Sequence, residues 1–421
     1  MKRFLSLILC FILLLTLAAC GSKNDPEALV DTKPQDDYPY PAINRKFTRE
    51  SLNALPIKRT DMTTDEMRQL VVDFMYFSKL QALYTPNQSY AYDITPIYPD
   101  EFIKGKVYSG MAFMNTGSGN VYRLLDIMDE DTGVLDMTDV MANIDLFSNT
   151  GPSACYWAWG RVCSSISYAR LRNMTHANGY LRVGPYTYSD TLTAFSETDN
   201  TIDICTNNGL VVMSESYAAM KPADAMITSS ASTTQMLMVT KDVNVVCFDG
   251  SDLIDPNKST ITYVDQNYAW AEQTNDAGDT FLCKSNVDKV YTFMELFNKG
   301  YIPFTLAELC GAKPVEETKV ETTLPDSDTI LTDDLFSSTV TSNFGISDIY
   351  ITLKNKNGND VYRHTVRAKF AGIKELNISR LSDNVFIEGD LETLRGDYSI
   401  EIAVQLSTGE RPVVYSGTIR I

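Results

Sequence analysis

Histidine is nearly absent from this chain: 421 residues contain two, His176 and His364. Histidine is the side chain whose unperturbed proton equilibrium falls near neutral pH. With so few, an HExxH zinc site is excluded, and any Cys-His or Ser-His pair has very little choice of base. No metal or cofactor site is expected. The phosphate-binding form GxxxxGK[ST] is also missing, and the glycine-rich NTGSGN, Asn115 to Asn120, reads as a hairpin loop. Positive charge is scarce, with 36 Lys and Arg against 54 Asp and Glu and a net charge of -18. Such an acidic chain argues against nucleic acid and against a polybasic membrane patch. No CxxC occurs. Beyond Cys20 the six cysteines, Cys155, Cys163, Cys205, Cys247, Cys283 and Cys310, have no framework spacing, so no pairing is readable. They read as buried free thiols acting as small hydrophobes, with Cys247 in the strand-like VNVVCF. The carboxylates of DIMDEDTGVLDMTD, Asp126 to Asp139, miss EF-hand spacing and read as a solvated acidic turn.

What is present begins with an address. MKR and the apolar FLSLILCFILLLTLAA precede LAAC, Leu17 to Cys20, which looks like a lipobox. Residues 1–19 are expected to leave as a lipoprotein signal peptide, with diacylglycerol on Cys20 and the protein extracytoplasmic, anchored to a bacterial cell membrane. No later stretch is long and apolar enough to span. Residues 20–46 are polar and proline-containing and read as a flexible tether.

The fold class expected is α+β, in two domains. Thr63 and Glu66 form a capping box, and Met67, Leu70, Val71, Phe74 and Phe77 mark one face of a helix. A shorter helix is expected from Asp136. ADAMIT, MLMVT and VNVVCF read as strands, with STITYVD and FLCKS continuing the sheet. NVDKVYTFMELFNKGYIPFT reads as a helix closed by Gly300. These make one domain over 47–311, with helices packed on an antiparallel sheet. Residues 312–329 read as a linker. Residues 330–421 read as a β-sandwich of immunoglobulin-like kind, from the Asn357-Gly358 hairpin turn and the alternation Tyr398, Ile400, Ile402, Val404, Leu406. The tyrosines of YPYP, Tyr38 to Pro41, and SYAYDITPIY, Ser89 to Tyr98, read as ordinary loop and sheet residues rather than sugar-stacking ones.

The chemistry turns on NTGPSACYWAWGRVCSSI, Asn149 to Ile166. Pro152 suits a first helical position, and Cys155 then lines up with Ala158, Trp159, Val162 and Ile166 in a core stripe. A thiol gains from a helix dipole only at the helix start, nearer 151 than 155. A helix over about 152–171 would be roughly 30 Å long at 1.5 Å per residue, so His176 beyond its end could not reach a thiol at its start.

This stretch resembles the opening helix of the NlpC-type, papain-like cell-wall cysteine peptidases, whose motif is Asp-Cys-Ser-Gly or -Ser followed by apolar and aromatic residues. Aligned on Trp157-Ala158-Trp159, Thr150 stands at the Asp, Gly151 at the nucleophilic Cys, Pro152 at the Ser and Ser153 at the small residue. SESYAAMKPADAMI, Ser214 to Ile227, resembles the Lys-Pro-Gly-Asp segment entering the first core strand, with Ala223 for the Gly. Gln235, in TTQMLMV, stands at the catalytic His, and Asp265 or Gln266 at the third, orienting position. The resemblance spans about 140–310 and implies a papain-like fold with both catalytic residues replaced.

The function expected is therefore that of a pseudoenzyme, which binds cell-wall peptidoglycan peptides or an envelope protein without cutting them. One alternative is an active cysteine hydrolase, a peptidoglycan endopeptidase or amidase using Cys155. Another is a solute-binding lipoprotein.

Overall fold

The helix Thr64–Leu80 forms where the capping box predicts it. Thr63 accepts from the Glu66 amide, and the Glu66 carboxylate accepts from the Thr63 amide. Its apolar face, Met67, Leu70, Val71, Phe74 and Phe77, is buried. The computed structural model describes residues 40–95, 98–166, 179–188, 200–230 and 234–421. Cys20, residues 1–39 and His176 lie outside the described residues. No described helix is long and apolar enough to cross a membrane.

The chain is mixed α and β, with several antiparallel sheets. The central sheet has six strands in the spatial order Lys289–Thr292, Thr260–Asp265, Thr234–Val239, Ala225–Ser229, Ile302–Leu306 and Tyr180–Arg182, all antiparallel. The helix Thr201–Ala218 packs on it with the helix Phe293–Lys299. The latter is shorter than the sequence suggests. Lys289–Thr292 is a strand, Thr292 caps the helix with Glu295, and Gly300 closes it in the left-handed conformation, φ 70°.

Two expected strands are placed differently. VNVVCF forms no strand: Asn244 bridges Thr260, Cys247 bridges Ile254, and Cys247 is exposed. The chain turns just beyond it at Gly250, φ 71°. FLCKS joins a second six-stranded sheet, in which Thr280–Cys283 pairs with Ala271–Thr274 and with Tyr108–Ser109. The residues 40–46 expected in a free tether are held at Asn44 and Arg45, whose amides donate to the Asp279 carboxylate. All six cysteines beyond Cys20 are unpaired. Cys155, Cys163, Cys205 and Cys283 are buried as expected, while Cys247 and Cys310 are exposed.

Beyond residue 312 the chain is not a free linker. Val315 is buried against the first core, and Val320–Thr322 pairs with Thr339–Ser342. A six-stranded sheet follows, ordered Thr329–Leu331, Val413–Arg420, Asp397–Leu406, Ile346–Lys354, Asp360–Arg367 and Val385–Glu388, and a three-stranded sheet accompanies it. The expected hairpin turns at Gly358, φ 82°. Tyr398, Ile400, Ile402, Val404 and Leu406 are buried in a second core.

Charge fixes the seam between the two cores. Arg123 and Asp348 are fully buried and paired at 3.0 Å. Arg123 also donates to the carbonyls of Leu146, Ser347 and Ala368. Arg367 reaches Asp126 at 2.9 Å and Asp348 at 3.4 Å, and the Tyr350 hydroxyl donates to Asp126. Asp126 is thus a seam residue rather than part of a solvated turn. Each charge has opposite charge and hydrogen bonds around it, the condition under which a buried pair is tolerated.

Candidate functional site

The opening helix runs Gly151–Trp159, shorter than the sequence suggests. Thr150 is the N-cap and forms a capping box with Ser153, Pro152 sits in the first turn, and Gly160 follows the last residue. Every residue of this helix is buried. The NTGSGN loop lies against it: Ser153 donates to the Gly117 carbonyl and the Trp157 indole to the Ser118 carbonyl. That loop is no hairpin tip. Gly119 comes so close that a Cβ there would lie 2.3 Å from the Leu146 carbonyl oxygen.

Register decides which sheet residues face this helix. Directly paired residues share a face, and successive residues alternate. Ala225 pairs with Met238 and Phe304, and Ile227 with Met236 and Ile302. Phe304 packs on Trp159 of the opening helix, ring centres 5.8 Å apart. Met236 therefore belongs to the floor beneath the helix. A Cβ on Gly151 would lie 2.7 Å from the Met236 carbonyl oxygen and 3.3 Å from its amide nitrogen. This is a close approach of two backbones, which glycine permits and a side chain does not.

Gln235 is not brought to Gly151. It pairs with Thr228 and points to the opposite face, where its side-chain oxygen accepts from the Tyr301 hydroxyl at 2.7 Å. The residue nearest Gly151 is its neighbour Met236, whose thioether does not titrate. Sequence order alone could not have separated 235 from 236, because the choice depends on which face meets the helix.

The third expected position is also occupied structurally. The Asp265 carboxylate accepts from the Asn286 amide at 2.9 Å and from its side chain at 3.1 Å. Burial raises its pKa, offset by those bonds and by Lys79. The Gln266 side chain donates to the carbonyls of Met111 and Ala112 and accepts from the Lys79 ammonium. Neither is free to orient a base.

Cys155 is 2 % exposed, and burial pushes its thiol up to about 12 despite the nearby Lys79 charge. Lys79 is the residue that sequence reasoning missed. It is buried at the end of the Thr64–Leu80 helix, and burial lowers its pKa. Among the described residues no carboxylate comes within ion-pair distance of it. A gap beside it, lined by Asn149, Ala154 and Trp157 among others, has room for about one water molecule. A lysine inside a helical period gives no sequence signal of burial, since Lys usually lies on the solvated face.

His364 lies in the second core, fully buried, with Nδ1 3.2 Å from the Tyr362 hydroxyl. Among the described residues no group of His, Cys, Asp and Glu is arranged to hold a metal ion. The local chemistry is that of packing: a thiol held protonated, a glycine at the helix start and a methionine beneath it. Comparison with known protein families, curated proteins and solved structures finds no match to this chain.

Proposed function

We propose that the protein is a lipid-anchored, extracytoplasmic surface protein that binds cell-wall peptide or an envelope partner without cutting it. On this reading the first core is a degenerate NlpC-type, papain-like domain and the second an immunoglobulin-like sandwich. The membrane is reached through the lipid on Cys20. The observation that carries the reading is the backbone approach of Gly151 to Met236, which leaves no room for a nucleophile at the helix start. Ala223 supports it independently. It stands where the family resemblance calls for glycine, and it holds the left-handed conformation, φ 71°, that glycine suits.

The rival reading, hydrolysis by Cys155, needs a thiolate. A thiol pushed up to about 12 and closed off from solvent supplies almost none at neutral pH. The test is co-sedimentation of the detergent-solubilised full chain with purified peptidoglycan. The account expects retention on the pellet with no release of new free amines. Release of amines would make the protein an enzyme. Absence of retention would remove cell-wall peptide as the ligand and leave the envelope partner.

A further inference from the structure

A second concave site lies away from the opening helix and does not depend on the papain-like reading. The helix Thr201–Ala218 is broken at Gly209, φ 78° and ψ 160°. Its second segment, the loop through residues 248–257 and the start of the helix Phe293–Lys299 enclose a cleft of about 320 Å³. That size falls at the lower end of small-molecule sites.

Three features of the cleft point to one ligand chemistry. Its rim exposes large apolar side chains, Val211 at 59 %, Phe248 at 46 % and Leu253 at 58 %. Its wall includes the Ser214 hydroxyl, 3 % exposed, with no hydrogen-bond partner among the described residues. Buried hydroxyls are normally partnered, so an unmet one in the wall of a cleft is a position a ligand atom can satisfy. Finally, Glu215 and Asp252 both line the cleft from exposed positions, and no Lys or Arg does.

We propose that this cleft binds a small organic cation: an apolar body carrying a protonated amine. The apolar body replaces water against Val211, Phe248 and Leu253. The ammonium is drawn to the two carboxylates and, as a donor only, bonds to them or to the Ser214 oxygen. An anion of the same shape meets two like charges and no Lys or Arg among the described lining residues.

The experiment is isothermal titration of the full-length protein at pH 7 with three probes of one shape, phenylbutylamine, phenylbutanol and phenylbutyrate. The amine is expected to bind one-to-one, at least about tenfold tighter than the acid. Leu253→Arg places bulk and positive charge at an exposed rim position and is expected to abolish amine binding with the melting temperature unchanged. The double variant Glu215→Gln, Asp252→Asn is expected to bring the amine to the level of the alcohol. No amine binding, equal binding of all three probes, or amine binding that survives Leu253→Arg would overturn the proposal.

Discussion

In the C-terminal region Ile346–Lys354 pairs with Asp360–Arg367 across one tight turn, and Asp397–Leu406 pairs with Val413–Arg420 across another. In the central sheet Ile302–Leu306 pairs on one side with Ala225–Ser229 and on the other with Tyr180–Arg182. The first region also buries Lys79 without an ion pair among the described residues, whereas the seam buries its charges as Arg–Asp pairs. The C-terminal region adds to these hairpins the distant pairings of Ile346–Lys354 with Asp397–Leu406 and of Thr329–Leu331 with Val413–Arg420, around a largely aliphatic core. The central sheet also contains one local hairpin, Ala225–Ser229 with Thr234–Val239, and its region buries polar groups, Lys79 and Gln266 among them, that have to be individually satisfied. An aliphatic core is specified by volume and pattern, whereas each buried polar group depends on its own partner.

The largest expected effect is at the seam. Asp348→Ala leaves Arg123 buried without its carboxylate and should cost about 3–5 kcal/mol. Denaturant unfolding should show the midpoint falling and the two cores separating into two transitions. An unchanged single transition would mean that the seam does not couple them.

His364 tests the C-terminal core alone. Burial holds its imidazole neutral, with the pKa lowered from 6.5 to about 4. As pH falls, the unfolded chain takes up the proton first. Stability should therefore decline between about pH 6.5 and 4 and level off below, by up to about 3 kcal/mol. His364→Phe should remove that component from a stability profile taken across this range.

The first region answers to backbone contacts. Gly151→Ala should cost about 1–3 kcal/mol, as the helix start is pushed from Met236. Ala223→Gly should have the smallest effect and the opposite sign. It relieves the left-handed conformation and should add about 0.5–1 kcal/mol despite the greater freedom of glycine when unfolded. Thermal unfolding of the two variants reads both directions.

The same contrast explains what could be read from the chain beforehand. The Asn357-Gly358 hairpin and the alternation from Tyr398 to Leu406 were legible because pairing between chain neighbours needs only local turn chemistry and period. The capping box at Thr63 was legible for the same reason. VNVVCF was not: its apolar composition suits a strand, but among the described residues it makes only two isolated bridges, Asn244 to Thr260 and Cys247 to Ile254. The opening helix stops at Trp159, with Gly160 still in the right-handed conformation, although the apolar pattern continues through Val162 and Ile166. At the candidate site the burial of Cys155 was readable from its stripe. The face of Gln235, the carbonyls held by Gln266 and the burial of Lys79 were not, because each is set by a partner more than sixty residues away in sequence.

The measurement that tests the central claim most directly is iodoacetamide labelling of the folded protein, read cysteine by cysteine by mass spectrometry across pH. The account predicts that exposed Cys247 and Cys310 label in the native state, and that Cys155 labels only once the protein is unfolded. Rapid labelling of Cys155 alone below pH 7 would reveal an activated thiolate and contradict the account.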